Sequence, residues 1–357
     1  MKVLLVTTVL NKGVVGPAVF SRLLADATQL NYDVLVENEV PADNVITLPI
    51  QQSYISRKLS LYSRIKPYYD KIATIADDYQ CILYSSTVLA YRVPQTDAVP
   101  VVMINDDNYI KAQLGLSKYS WINRFYQGIE RRIVNSAPMI IANSDYLAEQ
   151  ICQKYGCPKT KIRVLYKAVD LHKYSHQRTT TIDVTSPIKI LFVKNDYKRG
   201  GLYDLMGALK LLPQYQFQLT IVGNSPKVPT VDNVVYDVKG GLQHSEVLTL
   251  MQSLDIFCVP SRREALGVAN MEAMASGIPV VTTDAGGIPE VITEKEGWIC
   301  KPSNPSSLAD TLQRCIERPK ERQQKVELAA VRVQSFSKEN MIARLKEILQ
   351  EAVSLHG

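Results

Sequence analysis

Cysteine pairs of the CxxC type are missing from this chain, although six cysteines occur among its 357 residues. Several of the six lie inside apolar runs, as Cys258 does in DIFCVP. Thiols at such positions are usually buried and reduced. Reduced thiols are typical of proteins in reducing compartments such as the cytosol. The pattern therefore predicts a cytoplasmic protein.

Long apolar runs are missing as well, since none approaches the roughly 18 to 20 residues that a membrane-spanning helix needs. The opening segment MKVLLVTTVL resembles a signal peptide in composition. It lacks a cleavage site of the A-x-A type, however, and it leads into a glycine-containing loop and a helix. We expect this segment to form a first buried strand.

Signatures of nucleic-acid binding are also missing, because the chain contains no zinc-finger, RRM-like or helix-turn-helix pattern. The formal net charge is +6. A charge of this size suits an anionic ligand or an anionic surface, but it is too small to indicate a nucleic acid. With 46% hydrophobic residues, the chain is long enough to form two domains with separate cores.

Short apolar strands alternate with helical stretches along the whole chain. Runs such as KVLLVTT, QCILYSS and IKILFV predict buried strands of parallel sheets that helices cover on both faces. The expected fold class is α/β, with two Rossmann-like, doubly wound domains. Ligands of this fold class bind at the carboxyl ends of the strands, so two domains facing each other would form a binding cleft.

The alternation stops at residues 171–187, LHKYSHQRTTTIDVTSP, a polar segment that ends in proline. We interpret this segment as a linker between a first domain at 1–170 and a second at 188–335. Residues 336–357 are expected to contain a C-terminal helix that packs near the domain boundary. Its predicted apolar face consists of Met341, Ile342, Leu345, Ile348, Leu349 and Ala352.

Two carboxylates, Glu264 and Glu272, lie on either side of a glycine in SRREALGVANMEAMASGIPVV. In one continuous helix their Cα atoms would be separated by ~12 Å along the axis and by ~80° around it. Glycine is a poor helix former, whereas VANMEAMAS is rich in alanine, methionine and glutamate, so we expect the helix to begin near Gly267. Glu264 then lies on the preceding loop, and Glu272 lies about one turn inside the helix.

The backbone N–H groups of Leu266, Gly267 and Val268 would be unpaired at such a helix start, which is a natural anion site. Because the carboxylates would repel a phosphate, they are better suited to accept hydrogen bonds from hydroxyls on either side of it. A nucleotide sugar has that shape. Alternatively, Glu264 is a solvated loop charge and Glu272 complements the helix dipole. These residues alone leave both interpretations open.

The stretch FCVPSRREALGVANMEAMASGIPVVTTDAGGIPEV, residues 257–291, closely resembles the donor-site region of the retaining glycosyltransferases of family GT4. It shares their Pro-Ser strand end, E-x7-E pair, Glu-Ala-Met-Ala helix and Gly-Gly-Ile-Pro-Glu loop, in that order. The resemblance extends to 192–201 and 221–224 and, more weakly, through the first half of the chain. It implies the GT-B fold, in which two Rossmann-like domains face each other across a cleft.

The resemblance also implies roles for the residues around the helix start. The second glutamate of the family's pair holds the ribose hydroxyls, which assigns Glu272 to the nucleotide. The first contacts the transferred sugar, which assigns that role to Glu264. Backbone amides between the two bind the diphosphate, and they correspond to Leu266, Gly267 and Val268.

Two cations in KNDYKRGG, Lys198 and Arg199, precede the glycines at the start of the next helix. The resemblance implies that they balance the charge of the leaving diphosphate. The family usually presents an arginine and then a lysine, whereas here the order is reversed. Lys194 occupies a place where the family commonly has glycine. A solvated basic turn is the alternative interpretation.

In the first domain, the resemblance implies a glycine loop after the first strand, NKGVVGPAVF, with Gly16 close to the donor or the acceptor. Asn105 stands where the family usually has histidine. An asparagine can still donate a hydrogen bond to a sugar hydroxyl or a phosphate, but it cannot become positively charged. Asn105 is therefore either a weaker ligand of the donor or a plain loop residue.

The implied activity is that of a hexosyltransferase-type enzyme acting in glycan, polysaccharide or glycolipid synthesis. It moves a sugar from a nucleotide diphosphate sugar to a hydroxyl of a glycan or lipid-linked acceptor, with retention. No cofactor or metal is expected, because Asn105, Asp106 and Asp107 lack the alternating carboxylates of a metal-dependent site. The alternatives are a GT-B epimerase or phosphorylase, and a catalytically silent nucleotide-sugar-binding protein, which the missing histidine favours.

Basic and aromatic residues alternate in SYISRKLSLYSRIKPYYDK, residues 53–71. A basic amphipathic helix can lie on anionic lipid, which would place the protein peripherally on the inner face of a membrane. More often, such a helix is a packed surface helix with one solvated face. The sequence leaves both interpretations open.

Overall fold

The computed structural model describes residues 1–8, 31–37, 43–48, 61–105, 120–174, 181–224 and 226–356. Two compact units divide the chain: Met1–Tyr166 together with Glu339–Gly357, and Lys167–Lys338. The boundary after Tyr166 thus lies four residues before residue 170, the predicted end of the first domain. Of the predicted linker, residues 175–180 lie outside the described part.

The first unit is built on a seven-stranded parallel sheet. Its strands are β1 (Lys2–Val6), β2 (Asn31–Glu37), β3 (Val45–Leu48), β4 (Cys81–Tyr84), β5 (Val99–Ile104), β6 (Met139–Ala142) and β7 (Ile162–Val164). In space they follow the order β3-β2-β1-β4-β5-β6-β7. All residues of β4 and β6 are buried, as expected of strands in a sheet covered on both faces.

Three described helices follow strands of this unit: α1 (Leu61–Ile75), α2 (Ser120–Ser136) and α3 (Asp145–Tyr155). The second half of the predicted basic helix is present in α1, where Ile65, Tyr68 and Ile72 are buried. Tyr69, the next residue of the run, is only partly buried. The hydroxyl of Tyr68 donates to the carbonyl of Thr7 at 3.2 Å, which anchors α1 beyond the end of β1.

The second unit repeats the plan with a six-stranded parallel sheet. Its strands are β8 (Ile188–Val193), β9 (Phe217–Val222), β10 (Val234–Gly240), β11 (Ile256–Cys258), β12 (Val280–Thr283) and β13 (Trp298–Cys300). The order in space is β10-β9-β8-β11-β12-β13. The direction of winding therefore reverses between β8 and β11, and such a switch point leaves a crevice at the carboxyl ends of the strands.

The helices of the second unit are α4 (Leu202–Lys210), α5 (His244–Ser253), α6 (Val268–Ala275), α7 (Ile288–Val291), α8 (Pro305–Glu317) and α9 (Pro319–Val333). Gly201 precedes α4 with φ of +77°, a conformation that favours glycine. A Cβ on Gly201 would lie 2.1 Å from the carbonyl oxygen of Pro260. The turn before α4 is thus pressed against the segment that follows β11.

The last helix, α10 (Lys338–His356), is grouped with the first unit. The six apolar residues that the sequence assigned to one face are all buried, which confirms that amphipathic pattern. Arg163 of β7 donates from Nε to the carboxylate of Glu351 at 2.8 Å. None of the helices in the described residues is long and apolar enough to cross a membrane.

Candidate active site

The carboxyl edge of the second sheet brings together segments that are far apart in the chain. The segments that follow β8, β9, β10, β11 and β12 begin at Lys194, Gly223, Gly241, Val259 and Asp284. Since neighbouring parallel strands end at one edge, these five segments surround the switch point between β8 and β11. Both glutamates of the E-x7-E pair lie here.

The start of α6 has the geometry that the sequence predicted. Gly267 is the residue before the helix and has φ of +94°, and the helix begins at Val268. Glu264 therefore lies on the loop after β11, and Glu272 lies in the second turn. Within the described residues, the N–H groups of Leu266, Gly267 and Val268 donate to no protein acceptor. A helix start of this kind can bind an anion.

The carboxylate of Glu264 forms an ion pair with the ammonium of Lys194, the first residue after β8. Both side chains are mostly buried, with 18% and 24% of their surface exposed. The Cγ atom of Glu264 lies 3.7 Å from the position that a Cβ on Gly267 would occupy. The N–H of Gly287 donates to the Glu264 carbonyl at 3.0 Å. The ion pair is thus fixed beside the start of α6.

Glu272 contacts a residue that the sequence did not single out. Its Oε1 atom lies 2.9 Å from Nε2 of His244, the first residue of α5. Burial, together with the charge of Glu272, raises the pKa of the Tyr174 phenol. The available signal for His244 was its rarity, since it is one of four histidines. Nothing in the local sequence pairs it with Glu272.

Of the two predicted cations, Arg199 is tied to the loop that carries Glu264. Its Nε donates to the carbonyl of Arg263 at 3.0 Å, and its carbonyl accepts from the N–H of Arg262 at 2.9 Å. The guanidinium of Arg262 forms a two-pronged ion pair with the buried Asp204 at 2.7 and 2.8 Å. These bonds hold the KRGG turn and the loop after β11 as one rigid group.

Lys198 is exposed on the same turn. Among the residues that the structure describes, its ammonium makes no hydrogen bond or ion pair. It can therefore bind an anion without breaking a contact. Lys194, Lys198 and Arg199 all lie on the segment that follows β8.

In the first unit, Asn105 directly follows β5, while Gly16 lies outside the described residues. The Nδ2 of Asn105 donates to the carbonyl of Ser85 at 3.0 Å, and the Nδ2 of Asn143 donates to the carbonyl of Asn105 at 3.1 Å. In each asparagine the amide oxygen therefore points away from the carbonyl that Nδ2 contacts. Both Oδ1 atoms are buried, and neither has a hydrogen-bond partner in the part of the chain that the structure describes.

The described residues contain no group of three or more histidine, cysteine, aspartate or glutamate side chains that could hold a metal ion. The positive charges near the start of α6 belong to side chains of the chain itself. The chemistry that this edge supports is therefore the binding of an anion flanked by hydroxyl-bearing groups.

Two family models match the chain in series. The model described as Glycosyltransferase Family 4 matches residues 19–173, and that described as Glycosyl transferases group 1 matches residues 177–331. The second match contains the whole carboxyl edge described above. The two matches meet close to the boundary between the two units.

Curated proteins show similarity over part of their length. The putative colanic acid biosynthesis glycosyltransferase WcaL of Escherichia coli K12 is 30% identical over 204 residues, which is 52% of this chain and 48% of WcaL. The D-inositol 3-phosphate glycosyltransferase of Paenarthrobacter aurescens is 26% identical over 245 residues, which is 63% of this chain and 60% of that protein. The chain thus spans about half the length of the curated relatives that it matches.

Solved structures resemble the chain over nearly its whole length. Sucrose-phosphate synthase from Thermosynechococcus elongatus has a TM-score of 0.79 at 19% identity, covering 99% of each chain. The Anabaena protein HepE in complex with UDP-glucose has a TM-score of 0.74 at 18% identity, covering 98% of this chain and 100% of HepE. The shared architecture shows that the chain has the GT-B fold, and the paired family matches show that it belongs to glycosyltransferase family GT4.

Proposed function

We propose that this protein transfers a sugar from a nucleotide diphosphate sugar to a hydroxyl acceptor, in the synthesis of a polysaccharide or glycolipid. The observation that carries the proposal is the pair of carboxylates, Glu264 and Glu272, on either side of the unpaired N–H groups at the start of α6. The complex of HepE with UDP-glucose supports a donor of this class. The name of WcaL supports a role in polysaccharide synthesis.

In this proposal the diphosphate binds at the N–H groups of Leu266, Gly267 and Val268, where the partial positive charge of the helix favours an anion. Glu272 accepts hydrogen bonds from the ribose hydroxyls, and Glu264 accepts one from the transferred sugar. Each glutamate side chain is mostly buried, so its charge is only weakly screened. The order of these groups matches the order of ribose, diphosphate and sugar along the donor.

The transfer proceeds with retention at the anomeric carbon through a front-face mechanism. The bond between the anomeric carbon and the β-phosphate oxygen breaks, and its electron pair goes to that oxygen. The acceptor hydroxyl attacks the same face, and its proton passes to the leaving phosphate. Lys198 and Arg199 stabilise the negative charge that develops on the diphosphate.

No metal takes part in the proposed transfer, because the cations of the chain already supply the countercharge. Turnover should therefore persist in excess EDTA. Loss of turnover in EDTA, with recovery on adding Mn²⁺ or Mg²⁺, would contradict this part of the proposal. A nucleotide released at the same rate with and without the chelator would support it.

The first unit would supply the acceptor side of the reaction. The amide oxygens of Asn105 and Asn143 lack a partner among the described residues, and a hydroxyl group would be a suitable donor to each. Asn105 donates its amide hydrogen to Ser85, so the residue would serve a ligand through its oxygen. Gly16 is proposed to bring backbone close to the donor or the acceptor.

The two glutamates provide the test of the proposed donor. Thermal-shift measurements with UDP-glucose, UDP-N-acetylglucosamine, GDP-mannose and ADP-glucose identify the donor, because a ligand that binds the folded state raises its stability. Glu272→Gln should weaken the binding of free nucleoside diphosphate by roughly 10- to 150-fold, the value of a hydrogen bond to a charged group. Glu264→Gln should leave that affinity unchanged and lower turnover about 100-fold or more.

The outcomes also separate the alternative functions. Equal losses of diphosphate affinity in both variants would show that the two carboxylates act together on the nucleotide. Donor binding without release of nucleotide, in the presence of varied acceptors, would indicate a silent sugar-nucleotide-binding protein. A reaction that forms product without an acceptor would indicate an epimerase. A reaction that consumes phosphate would indicate a phosphorylase.

We also propose that the protein works in the cytoplasm, with peripheral contact to anionic membrane through residues 53–71. Arg57 and Lys58 lie outside the described residues, whereas Lys66 of the same run pairs with Asp70 in α1. Changing Arg57, Lys58 and Arg64 to glutamate should reduce sedimentation with phosphatidylglycerol liposomes and leave nucleotide binding intact. Equal sedimentation of parent and variant would make this run a plain surface helix.

A further inference from the structure

Lys194 is a mostly buried cation whose ammonium contacts Glu264 at the carboxyl edge of the second sheet. It follows β8 directly, at the switch point, and its side chain is 24% exposed. Lys198, four residues later, lies on an exposed turn. Because the interaction between charges strengthens as solvent is excluded, a cation in the position of Lys194 acts more strongly than an exposed cation on an anion at the same distance.

The surrounding backbone leaves Lys194 a defined position. Its N–H donates to the carbonyl of Val222 at 3.0 Å, and a Cβ on Gly223 would lie 2.5 Å from the Lys194 carbonyl oxygen. A Cβ on Gly200 would lie 2.8 Å from Cγ of Lys194. The glycines on both sides therefore make room for the lysine backbone and for its aliphatic stem.

The ammonium end is fixed by Glu264, which lies next to the helix start. Glu264 pairs with Lys194, and its Cγ lies 3.7 Å from the Cβ position of Gly267. The lysine thus contacts the carboxylate assigned to the transferred sugar, and that glutamate in turn lies beside the amides assigned to the diphosphate. An ammonium group has three N–H donors, so an ion pair with one carboxylate leaves donors for a second anion.

We propose that Lys194 is a catalytic cation that bridges Glu264 and the leaving β-phosphate, an assignment that rests on the proposed transferase function. When the bond from the anomeric carbon to the phosphate oxygen breaks, that oxygen receives the electron pair, and Lys194 donates a hydrogen bond to it. The lysine stays protonated throughout, and the proton of the acceptor hydroxyl passes to the phosphate. The same ammonium keeps the Glu264 carboxylate turned toward the sugar.

The contribution of Lys194 should be larger in the transition state than in the ground state, because negative charge on the phosphate oxygen grows as the bond breaks. Lys194→Met keeps the stem and removes the charge. We expect it to lower kcat by about 100-fold and to weaken UDP, GDP or ADP binding by less than about 10-fold. Lys194→Arg should recover most of the rate, because it restores the charge.

The experiment measures the release of nucleoside diphosphate from UDP-glucose, UDP-N-acetylglucosamine, GDP-mannose and ADP-glucose, with water or an added sugar as the acceptor. Calorimetry with the free diphosphate and a melting curve show that each variant is folded. Lys189→Met is the matched control, because Lys189 is exposed near the amino end of the same strand. The control should keep the parental kcat and affinity.

A Lys194→Met variant that keeps the parental kcat would overturn the assignment while leaving the transferase function in place. Equal losses of kcat/KM and diphosphate affinity, with kcat unchanged, would also overturn it, since they indicate a cation that binds without acting in the transition state. A parent that releases no diphosphate from any of the four donors would overturn the transferase function itself. The parental rate therefore distinguishes the two failures.

Discussion

At the residue scale, each glutamate of the pair is held by a side chain from a different segment of the carboxyl edge. Lys194 reaches Glu264 from the end of β8, and His244 reaches Glu272 from the start of α5, the helix that follows β10. A carboxylate held in one orientation loses less conformational freedom when it binds a hydroxyl, which improves affinity. In the proposed function, the two partners would therefore hold the two carboxylates in place for the donor.

His244 gives the prediction at this scale. His244→Ala should weaken the binding of free nucleoside diphosphate by roughly 5-fold, because Glu272 loses a hydrogen-bond partner worth about 1 kcal/mol. His244→Gln should recover most of the affinity, since its side-chain amide can donate from a similar position. Calorimetry with UDP, GDP and ADP provides the measurement.

Ser245→Ala is the control for His244→Ala, because Ser245 is the next residue of α5 and is exposed. A merely structural role of His244 would lower the melting temperature of both His244 variants and leave the affinity of the folded protein unchanged. Additive losses in the double variant His244→Ala, Glu272→Gln would also contradict coupling between the two residues.

At the element scale, the starts of α4 and α6 depend on glycine in left-handed conformations. Gly201 has φ of +77° before α4, and Gly267 has φ of +94° before α6. At both positions a side chain would strain the backbone. The sequence signals these helix starts correctly because glycine is the residue that such conformations favour.

Gly201→Ala should destabilise the protein by more than about 2 kcal/mol, because strain from the positive φ adds to the clash with Pro260. Gly128→Ala is the matched change, since Gly128 lies within α2 and a Cβ there would meet no atom within 4 Å. It should stabilise α2 by up to about 1 kcal/mol. Urea unfolding of the two variants tests the contrast, and similar shifts in both would contradict it.

At the scale of the whole molecule, the chain returns to its first unit at the end. Residues 339–357 are grouped with Met1–Tyr166, whereas α9 belongs to the second unit. Six apolar residues of α10 are buried, so the first unit lacks part of its core until the last residues are present.

A chain that ends at residue 337 should therefore lose stability in the first unit before the second. Hydrogen exchange is the measurement, because it reports local opening along the chain. We expect faster exchange in β5, β6 and β7 and unchanged exchange in β8 and β9. Equal acceleration in both sheets would show that α10 supports the two units alike.

The contact between Arg163 and Glu351 makes the attachment of α10 sensitive to acid. The hydrogen bond from Arg163 lowers the pKa of the Glu351 carboxyl. The pKa of Glu351 is lower in the folded state than in the unfolded state, so its pair with Arg163 contributes stability at pH values above the unfolded pKa of about 4.3. That contribution is lost as the pH falls through the folded pKa. The contribution of the Arg163–Glu351 pair to the free energy of unfolding should stay below about 1 kcal/mol, since the pair is partly exposed.

Melting curves of the parent and of Glu351→Gln at pH 7 and pH 3 test this expectation. The parent should be slightly more stable at pH 7, and the difference should shrink at pH 3. A difference that grows toward low pH would reverse the sign and contradict the assignment. Glu347→Gln is the control, because Glu347 is exposed and pairs with Arg344 of its own helix.

The sequence by itself determined the elements and the local geometry of the candidate site. Alternating apolar runs predicted the strands, the apolar period predicted the face of α10, and Gly267 marked the start of α6 with Glu264 before it and Glu272 inside it. These features follow from the propensity and spacing of neighbouring residues, which can be read along the chain.

Only the tertiary structure decided which side chains complete the site. Lys194 and Glu264 are 70 positions apart, and His244 and Glu272 are 28 apart. Their contacts depend on the strand order β10-β9-β8-β11-β12-β13, which brings the ends of separate strands to one edge. No local pattern encodes that order, because the period of a strand is the same wherever the strand lies in the sheet.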